Sequence, residues 1–533
     1  MNDFALNVPD VIIIAAAIVG VVSVGLWTSR KVEKTTRSYF LASGKMPWWL
    51  IGTAFVSTSV SSEQIVGTVG AAYQHGMGIA NWEWFTLPTY AMVIIFFIPL
   101  YLRNRITTVP EFLSQRFGPL CGHIYSWIMS FAYVFVFMVP VLYGGSLAFH
   151  ELTGWNFYII IWATALVVGL YTIKGGLGSI MWTDALQCLL LVGGGVLLFF
   201  ISLNHIPGGW AAMTEANPER FHLYLPPTDP LAPFTGLVCG VLGVFLFYQS
   251  TNQVMIQRVL SARSTWDGIM GIIFAGFINL LRPLVTCFLG FVVFHWIHNM
   301  HSAEPLGNID QAFPFALRTF AGQWGLRGII LAGFLAAIMS TVSALTNATS
   351  TIFSLDVYKK LINKQADEKR LVLVGRLAAG GCLVLACLTA PAVEHLGGIF
   401  RYFQTGVTYV STPFISVVLM GVIWKRTNYA GAIFGLIGGL AIQVLLAIGL
   451  AALGFQLHWL YVAFIAQILT MTGIAVVSLM SSPPPKSLWE PFHWSPSLLS
   501  HYDEGVLRPW YKQAKFWFAI YSVIWVYIYW RFW

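Results

Sequence analysis

Fourteen apolar runs of bilayer-crossing length divide this 533-residue chain, and no water-soluble core could absorb them all. They read as helices at about 10–29, 48–74, 79–102, 120–150, 156–174, 180–203, 232–260, 267–298, 325–358, 371–391, 396–424, 429–452, 457–481 and 513–531. The runs are too long and too continuously apolar for barrel strands. Charged residues supply 9% of the chain, against about 25% in an ordinary soluble domain. A soluble enzyme, a nucleic-acid binder and a disordered chain are therefore excluded. The chain reads as an all-α integral membrane protein.

The net charge of +8 matters less than where the charge lies. Of 29 Lys and Arg residues, 23 fall in alternate loops on one side, from Arg30 and Lys31 through Lys359, Lys360 and Lys364 to Lys515. The other side holds Arg220, Arg318, Arg327 and Arg531, while Arg282 and Arg401 stay within or at the edge of spans. The positive-inside rule makes the basic side cytoplasmic and puts both termini outside a cell (inner or plasma) membrane. The first run follows an acidic start, Asp3 and Asp10, and reads as a retained span, not a cleaved signal. Outer loops near 204–231 and 299–324 are long, and the second carries enough apolar residues to fold onto the outer face. Residues 109–117 read as a short interfacial helix, and 481–511 as a Pro-rich cytoplasmic connector. The C-terminal aromatic run from Phe516 reads as a membrane anchor. The six cysteines show no metal spacing and read as apolar packing.

Polar groups inside spans are costly, so their positions carry the functional signal. Well inside spans the acids are Glu63 and Glu83, with Asp184 near a span end. From Thr53 to Gln64 the second run packs six hydroxyl residues, an acid and an amide. Ser and Thr bond back to the backbone and weaken a helix, so this run reads as a discontinuous helix. The seventh run has a counterpart at Tyr248 to Gln253, including Gln249 and Asn252. Two interrupted helices five apart point to an inverted-repeat transporter with its site at the repeat interface. The repeats would be 47–203 and 232–424, with an extra helix at 1–29 and three more in 429–533. Ser340, Thr341 and Ser343 in the ninth run could add oxygens to a cation site. The polar stretches of the second and ninth runs also suit small-residue packing between helices.

These residues resemble the sodium:solute symporter family, in particular its sodium/glucose branch. The resemblance runs through Ser62-Glu63-Gln64, Trp82-Glu83-Trp84, Lys174 to Asp184, Asn252-Gln253, Ala337 to Thr341 and Ser354 to Tyr358. It implies a leucine-transporter-type fold of five plus five inverted helices, and sodium-coupled import of a small polar solute by alternating access. It further implies sodium ligation by carbonyls of Ser57, Val60 and Ala337 and hydroxyls of Ser340 and Thr341. A second sodium would draw on Asp184 and Ser343. Solute contacts would fall on Gln64, Glu83, Asn252, Asn279 and Gln404, with Tyr248 as a stacking face and Phe400 as an outer gate.

Three positions depart from the family pattern. Asn279 stands where the sugar transporters carry a lysine, Phe137 where an amide is expected, and Val254 where a gating tyrosine is expected. A sugar or polyol is the first expectation; sialic acid, another organic anion or an amino acid is the alternative. A solute sensor on the same fold is a further one. A membrane enzyme would need a nucleophile–base or metal set, and the histidines show no such spacing.

Overall fold

In a bilayer the backbone must satisfy its own hydrogen bonds, so the apolar runs fold as helices. The computed structural model describes residues 6–30, 33, 35–301, 304–322, 325–395, 399–455, 457–501 and 506–533, and has no β-strand among them. The side chains of Glu63, Phe400 and Gln404 lie outside the described residues. In chain order the principal helices are α1 (Val8–Ser29), α2 (Trp48–Ser59), α3 (Ser62–His75), α4 (Pro119–Thr153) and α5 (Phe157–Asn204). There follow α6 (Phe234–Ser250), α7 (Gln253–Leu260), α8 (Thr265–Met300), α9 (Leu326–Ile362) and α10 (Glu368–Val393). The last four are α11 (Ile399–Ile423), α12 (Tyr429–Ala452), α13 (Trp459–Met480) and α14 (Ala514–Phe532).

Among the described residues the apolar runs fall mainly on helix, but they are joined differently than expected. Ten helices among these residues are long and apolar enough to cross a membrane, or eleven if the bent pair α6 and α7 counts as one span. Runs 156–174 and 180–203 form the single helix α5, broken at Gly176 (φ 58, ψ −159). A Cβ there would stand 2.3 Å from the Tyr39 carbonyl oxygen, so the close approach admits only glycine. At 48 residues α5 is more than twice one crossing, and Gly176 divides it into two crossing-length halves. Gly76 (φ 79) marks a similar break after α3, before the helical stretch 81–103.

Helix α9 sits at the centre and is buried along nearly its whole length, packed between α5 and α1. The acidic start is part of this packing. Asp10 accepts from the Asn7 backbone N–H at 3.0 Å as a cap on α1, and from the Gly328 N–H at 2.9 Å, which pins α1 to the start of α9. The expected short helix is present as Val109–Phe117, capped by the Thr108 hydroxyl, with Phe112, Leu113 and Phe117 buried. Residues 306–309 fold back onto α3. Ile309 packs over Gly70 of α3, and the Leu306 N–H donates to the Tyr73 hydroxyl at 3.2 Å. All six cysteines are free thiols, and five are buried.

Candidate functional site

Helix α2 stops at Ser59 because its hydroxyls turn back on the chain. Thr53 donates to the Trp49 carbonyl at 2.9 Å and Ser59 to the Val56 carbonyl at 2.9 Å. Val60 (φ −113, ψ 118) and Ser61 (φ −119, ψ 171) are extended, and α3 starts at Ser62. The interruption frees carbonyl oxygens in the middle of the bundle. Thr341 of α9 lies against them, donating to the carbonyls of Thr58 at 3.4 Å and Val60 at 3.3 Å. Its neighbour Ser340 donates to Asp184 Oδ1 at 2.7 Å. Asp184 Oδ2 holds Arg258 Nη2 at 2.9 Å and accepts from the Thr58 hydroxyl at 3.4 Å. The broken span, α5, α7 and α9 are thus tied at one point.

This is a cluster of neutral oxygens beside a compensated ion pair, a donor set suited to a hard monovalent cation. Of the expected ligands, Val60, Ser340 and Thr341 converge. Ser57 is buried nearby, and its hydroxyl has no hydrogen-bond partner among the described residues. Ala337 is buried one turn from Thr341. Asp184 is already paired with Arg258, and Ser343 donates to the carbonyl of Ser340 at 2.8 Å. Among the described residues no three His, Cys, Asp or Glu side chains converge as metal ligands.

The second interruption is held by side chains as well. Helices α6 and α7 bend by 57° across Thr251 and Asn252. Asn252 Oδ1 caps α7 by accepting from the Val254 N–H at 3.1 Å, and also accepts from the Tyr133 hydroxyl at 2.8 Å. Tyr125 donates to the Thr251 carbonyl at 2.5 Å. Asn252 therefore fixes the bend. It lines a narrow space of about 10 Å³ with Thr58, Ser61, Tyr248, Thr341 and Phe403, between the oxygen cluster and a larger cavity.

That cavity measures about 440 Å³. Its polar wall includes Ser59, Gln64, Thr86, Tyr90, Gln249 and Arg282, and its apolar wall includes Trp82, Tyr248, Phe403 and Trp459. Trp82 stacks on Trp459 with centroids 5.8 Å apart and planes 10° from parallel. Gln64 Nε2 donates to Glu83 Oε1 at 2.8 Å, and Arg282 Nη2 lies 2.7 Å from Glu83 Oε2. Arg282 Nη1 also donates to Ser59 at 3.2 Å and to Asn279 Oδ1 at 3.1 Å, and Asn279 Nδ2 donates to Tyr90 at 2.7 Å. Glu83 and Asn279 are fully buried behind this wall and do not line the cavity themselves. They hold Gln64, Arg282 and Tyr90, which do. Gln249 Oε1 is buried with no hydrogen-bond partner among the described residues, leaving an acceptor for a solute donor. Its place in the interrupted seventh run was the available signal. Phe403, one position before Gln404, is the described aromatic of α11 in both spaces.

Two further elements reach the cavity. Ile309 and Asp310 line it, and burial raises the Asp310 carboxyl above its ordinary value. The C-terminal helix, expected as a lipid anchor, is also a brace. Tyr529 donates to Asn81 Oδ1 at 2.7 Å, Trp525 Nε1 to the Trp84 carbonyl at 2.6 Å, and Tyr521 shares a 3.1 Å hydrogen bond with the Thr86 hydroxyl. Asn81 and Thr86 are cavity residues.

A family model described as "Sodium:solute symporter family" matches residues 39–439, which contain both broken helices and the oxygen cluster. The chain belongs to the sodium:solute symporter family. It is 32% identical over 504 residues to a sodium/glucose cotransporter of Vibrio parahaemolyticus, covering 90% of this chain and 92% of that one. It is 28% identical to sodium/glucose cotransporter 1 of Oryctolagus cuniculus, with 90% and 80% covered. It is also 28% identical to sodium/myo-inositol cotransporter 2 of Bos taurus, with 92% and 79% covered. Its fold matches a solved structure of a Na⁺-coupled sialic acid symporter in a substrate-bound outward-open state. The TM-score is 0.80 at 22% identity, with 90% of this chain and 98% of that chain covered. The chain is a multi-pass membrane transporter, not an enzyme, and sodium is its coupling ion.

Proposed function

We propose that the chain imports a neutral, polyhydroxylated solute of the sugar or polyol class with sodium by alternating access. One observation carries this reading. The cavity beside the oxygen cluster has amide and hydroxyl groups on one wall and aromatic faces on the other, and the one cation lining it among the described residues, Arg282 (Asp310 being the lining acid), is neutralised by Glu83. A sugar presents the same combination of hydroxyls and apolar ring faces. Gln64, Gln249 and Tyr248 contact the solute, with Glu83, Asn252 and Asn279 holding the wall and the bend. The resemblance adds Phe400 as an outer gate and Gln404 as a further solute contact.

Sodium is held by Val60, Ser340 and Thr341, with Ser57 and Ala337 beside them, and stabilises the outward-facing arrangement of the broken helices. The population able to bind solute rises, so coupling is a difference in affinity between states. An inside-negative potential favours entry by about 2.3 kcal/mol per charge per 100 mV. In this reading 47–203 and 232–424 are inverted repeats, flanked by 1–29 and 429–533. The basic face is cytoplasmic and both termini lie outside, which thiol labelling of single-cysteine variants from either side of sealed vesicles tests.

The relatives' names support the solute class: two are glucose cotransporters and one a myo-inositol cotransporter. Sodium-gradient uptake into proteoliposomes, competed with sugars, inositols, sialic acid and amino acids, tests it. Inhibition by sugars or inositols is expected, and uptake driven by protons with sodium absent overturns the ion assignment. A second reading, a carboxylate-bearing solute, is favoured by the guanidinium of Arg282 reaching the cavity wall. Inhibition by sialic acid alone would select it.

A further inference from the structure

A second cavity, apart from the one between the broken helices, is lined by basic side chains and measures about 1060 Å³. Its walls come from separate parts of the chain: the short helix Thr36–Leu41, the turn after the stretch 81–103, the helix Val109–Phe117, the start of α4, the α7–α8 turn and the end of α9. Six basic side chains line it, Arg37, Arg105, Arg263, Lys359, Lys360 and Lys364, against two acids, Glu111 and Asp356.

Both acids are already engaged. Asp356 accepts from Lys360 at 2.6 Å and from the Thr108 hydroxyl at 2.8 Å. Glu111 accepts from the Thr107 N–H at 2.8 Å and from Gln115 at 3.0 Å. Arg263 is paired with Asp267 at 2.7 Å, outside the cavity. Arg37, Arg105, Lys359 and Lys364 remain with no acidic partner among the described residues. The positive-inside bias puts cations on this side of the membrane, but it does not require them to converge from distant segments on one hollow. The backbone also pays for one of them: Arg105 sits at φ 51, a left-handed conformation that a non-glycine residue keeps only where its surroundings enforce it.

We propose that this cavity is a binding site for a phosphate-bearing anion, either a free solute or an anionic lipid headgroup. Guanidinium groups present paired donors that match phosphate oxygens, and ammonium groups add point charge. A concave wall of one sign concentrates such anions. Thr36, Thr107 and Ser264 supply neutral hydroxyls on the same walls. The site is separate from the solute cavity and does not depend on which solute is carried.

The test uses the full-length protein, purified without a sodium gradient, so its failure leaves the transport reading standing. Inorganic pyrophosphate is titrated calorimetrically in dodecyl maltoside at matched ionic strength. In parallel, the unfolding midpoint is compared in phosphatidylcholine nanodiscs with and without phosphatidylglycerol. The comparison variant is Arg105→Gln/Lys359→Gln/Lys364→Gln, whose exposed side chains make no hydrogen bond among the described residues on which the fold depends. Saturable pyrophosphate binding that weakens about tenfold or more in the variant supports the site with a free anion. A midpoint rise specific to phosphatidylglycerol and lost in the variant supports it with a headgroup. No response to either probe, or responses equal in wild type and variant, overturns the proposal.

Discussion

Arg282 and Glu83 form a 2.7 Å ion pair whose carboxylate is fully buried and whose guanidinium reaches the wall of the solute cavity. Removing one partner leaves a desolvated charge. Glu83→Gln is expected to destabilise the protein by about 3–5 kcal/mol and to abolish uptake, whereas Glu83→Gln/Arg282→Gln recovers much of the stability. Unfolding midpoints in detergent check this. Equal midpoints for the single and double variants would show that the pair is not coupled.

Thr341 places its hydroxyl against two carbonyls at the interruption of the second span, so it tests the cation site directly. Thr341→Ala is expected to raise the sodium concentration for half-maximal uptake by about tenfold, roughly 1.4 kcal/mol, while Thr341→Ser stays near wild type. Ser340→Ala also strips Asp184 of its 2.7 Å hydrogen bond, so it should cost stability as well as sodium affinity.

The interruptions at Val60 and Asn252 were legible because hydroxyls and amides are costly in an apolar run unless they break the helix or bind a polar partner. The set of Val60, Ser340 and Thr341 as cation ligands came from the resemblance; the structure adds that Thr341 donates to the Val60 carbonyl and Ser340 to Asp184. What the sequence hid were contacts between residues hundreds of positions apart. Nothing periodic links Tyr529 to Asn81, so the C-terminal helix read as a lipid anchor. The resemblance implied solute contacts at Asn279 and Glu83, and sequence shows only that a polar group is in the membrane, not which way it faces. The break at Gly176 was legible as the gap between runs 156–174 and 180–203; what the sequence hid was the close approach of Tyr39 that requires glycine there.

Gly290 of α8 marks where that helix crosses α3. A Cβ would stand 2.4 Å from the Val69 carbonyl oxygen and 2.6 Å from the Tyr73 nitrogen, both backbone atoms that cannot swing aside. Gly290→Ala is expected to cost about 1–3 kcal/mol or more. Gly381→Ala in α10, where a Cβ meets nothing within 4 Å, should instead be neutral or gain about 0.5–1 kcal/mol of helix propensity. Chemical denaturation of the two variants side by side decides between them.

His458 precedes α13 and accepts from the Leu460 N–H through Nδ1 at 3.3 Å. Burial lowers its pKa from 6.5 to about 4. The folded state therefore resists protonation that the unfolded chain accepts. Above pH 6.5 the group has no effect on stability; stability is then lost as the pH falls from 6.5 towards 4. His458→Asn, which keeps a capping oxygen but cannot titrate, should flatten that part of the pH profile of the unfolding midpoint. An unchanged slope would remove His458 from the acid sensitivity.

Tyr521, Trp525 and Tyr529 of α14 hold the segment from Asn81 to Thr86, whose Asn81, Trp82 and Thr86 line the solute cavity. None of the three touches the oxygen cluster around Thr341. Tyr521→Phe/Tyr529→Phe keeps the rings, and so their packing, while deleting two hydrogen bonds, one of which leaves Asn81 Oδ1 buried without its donor. Each lost bond costs about 1 kcal/mol in positioning the segment. The double variant is expected to raise the solute KM several-fold, with the sodium dependence at saturating solute unchanged. Uptake kinetics with each ligand varied in turn separate the two parameters. A parallel loss in both would mean that α14 braces the whole bundle and not the solute wall.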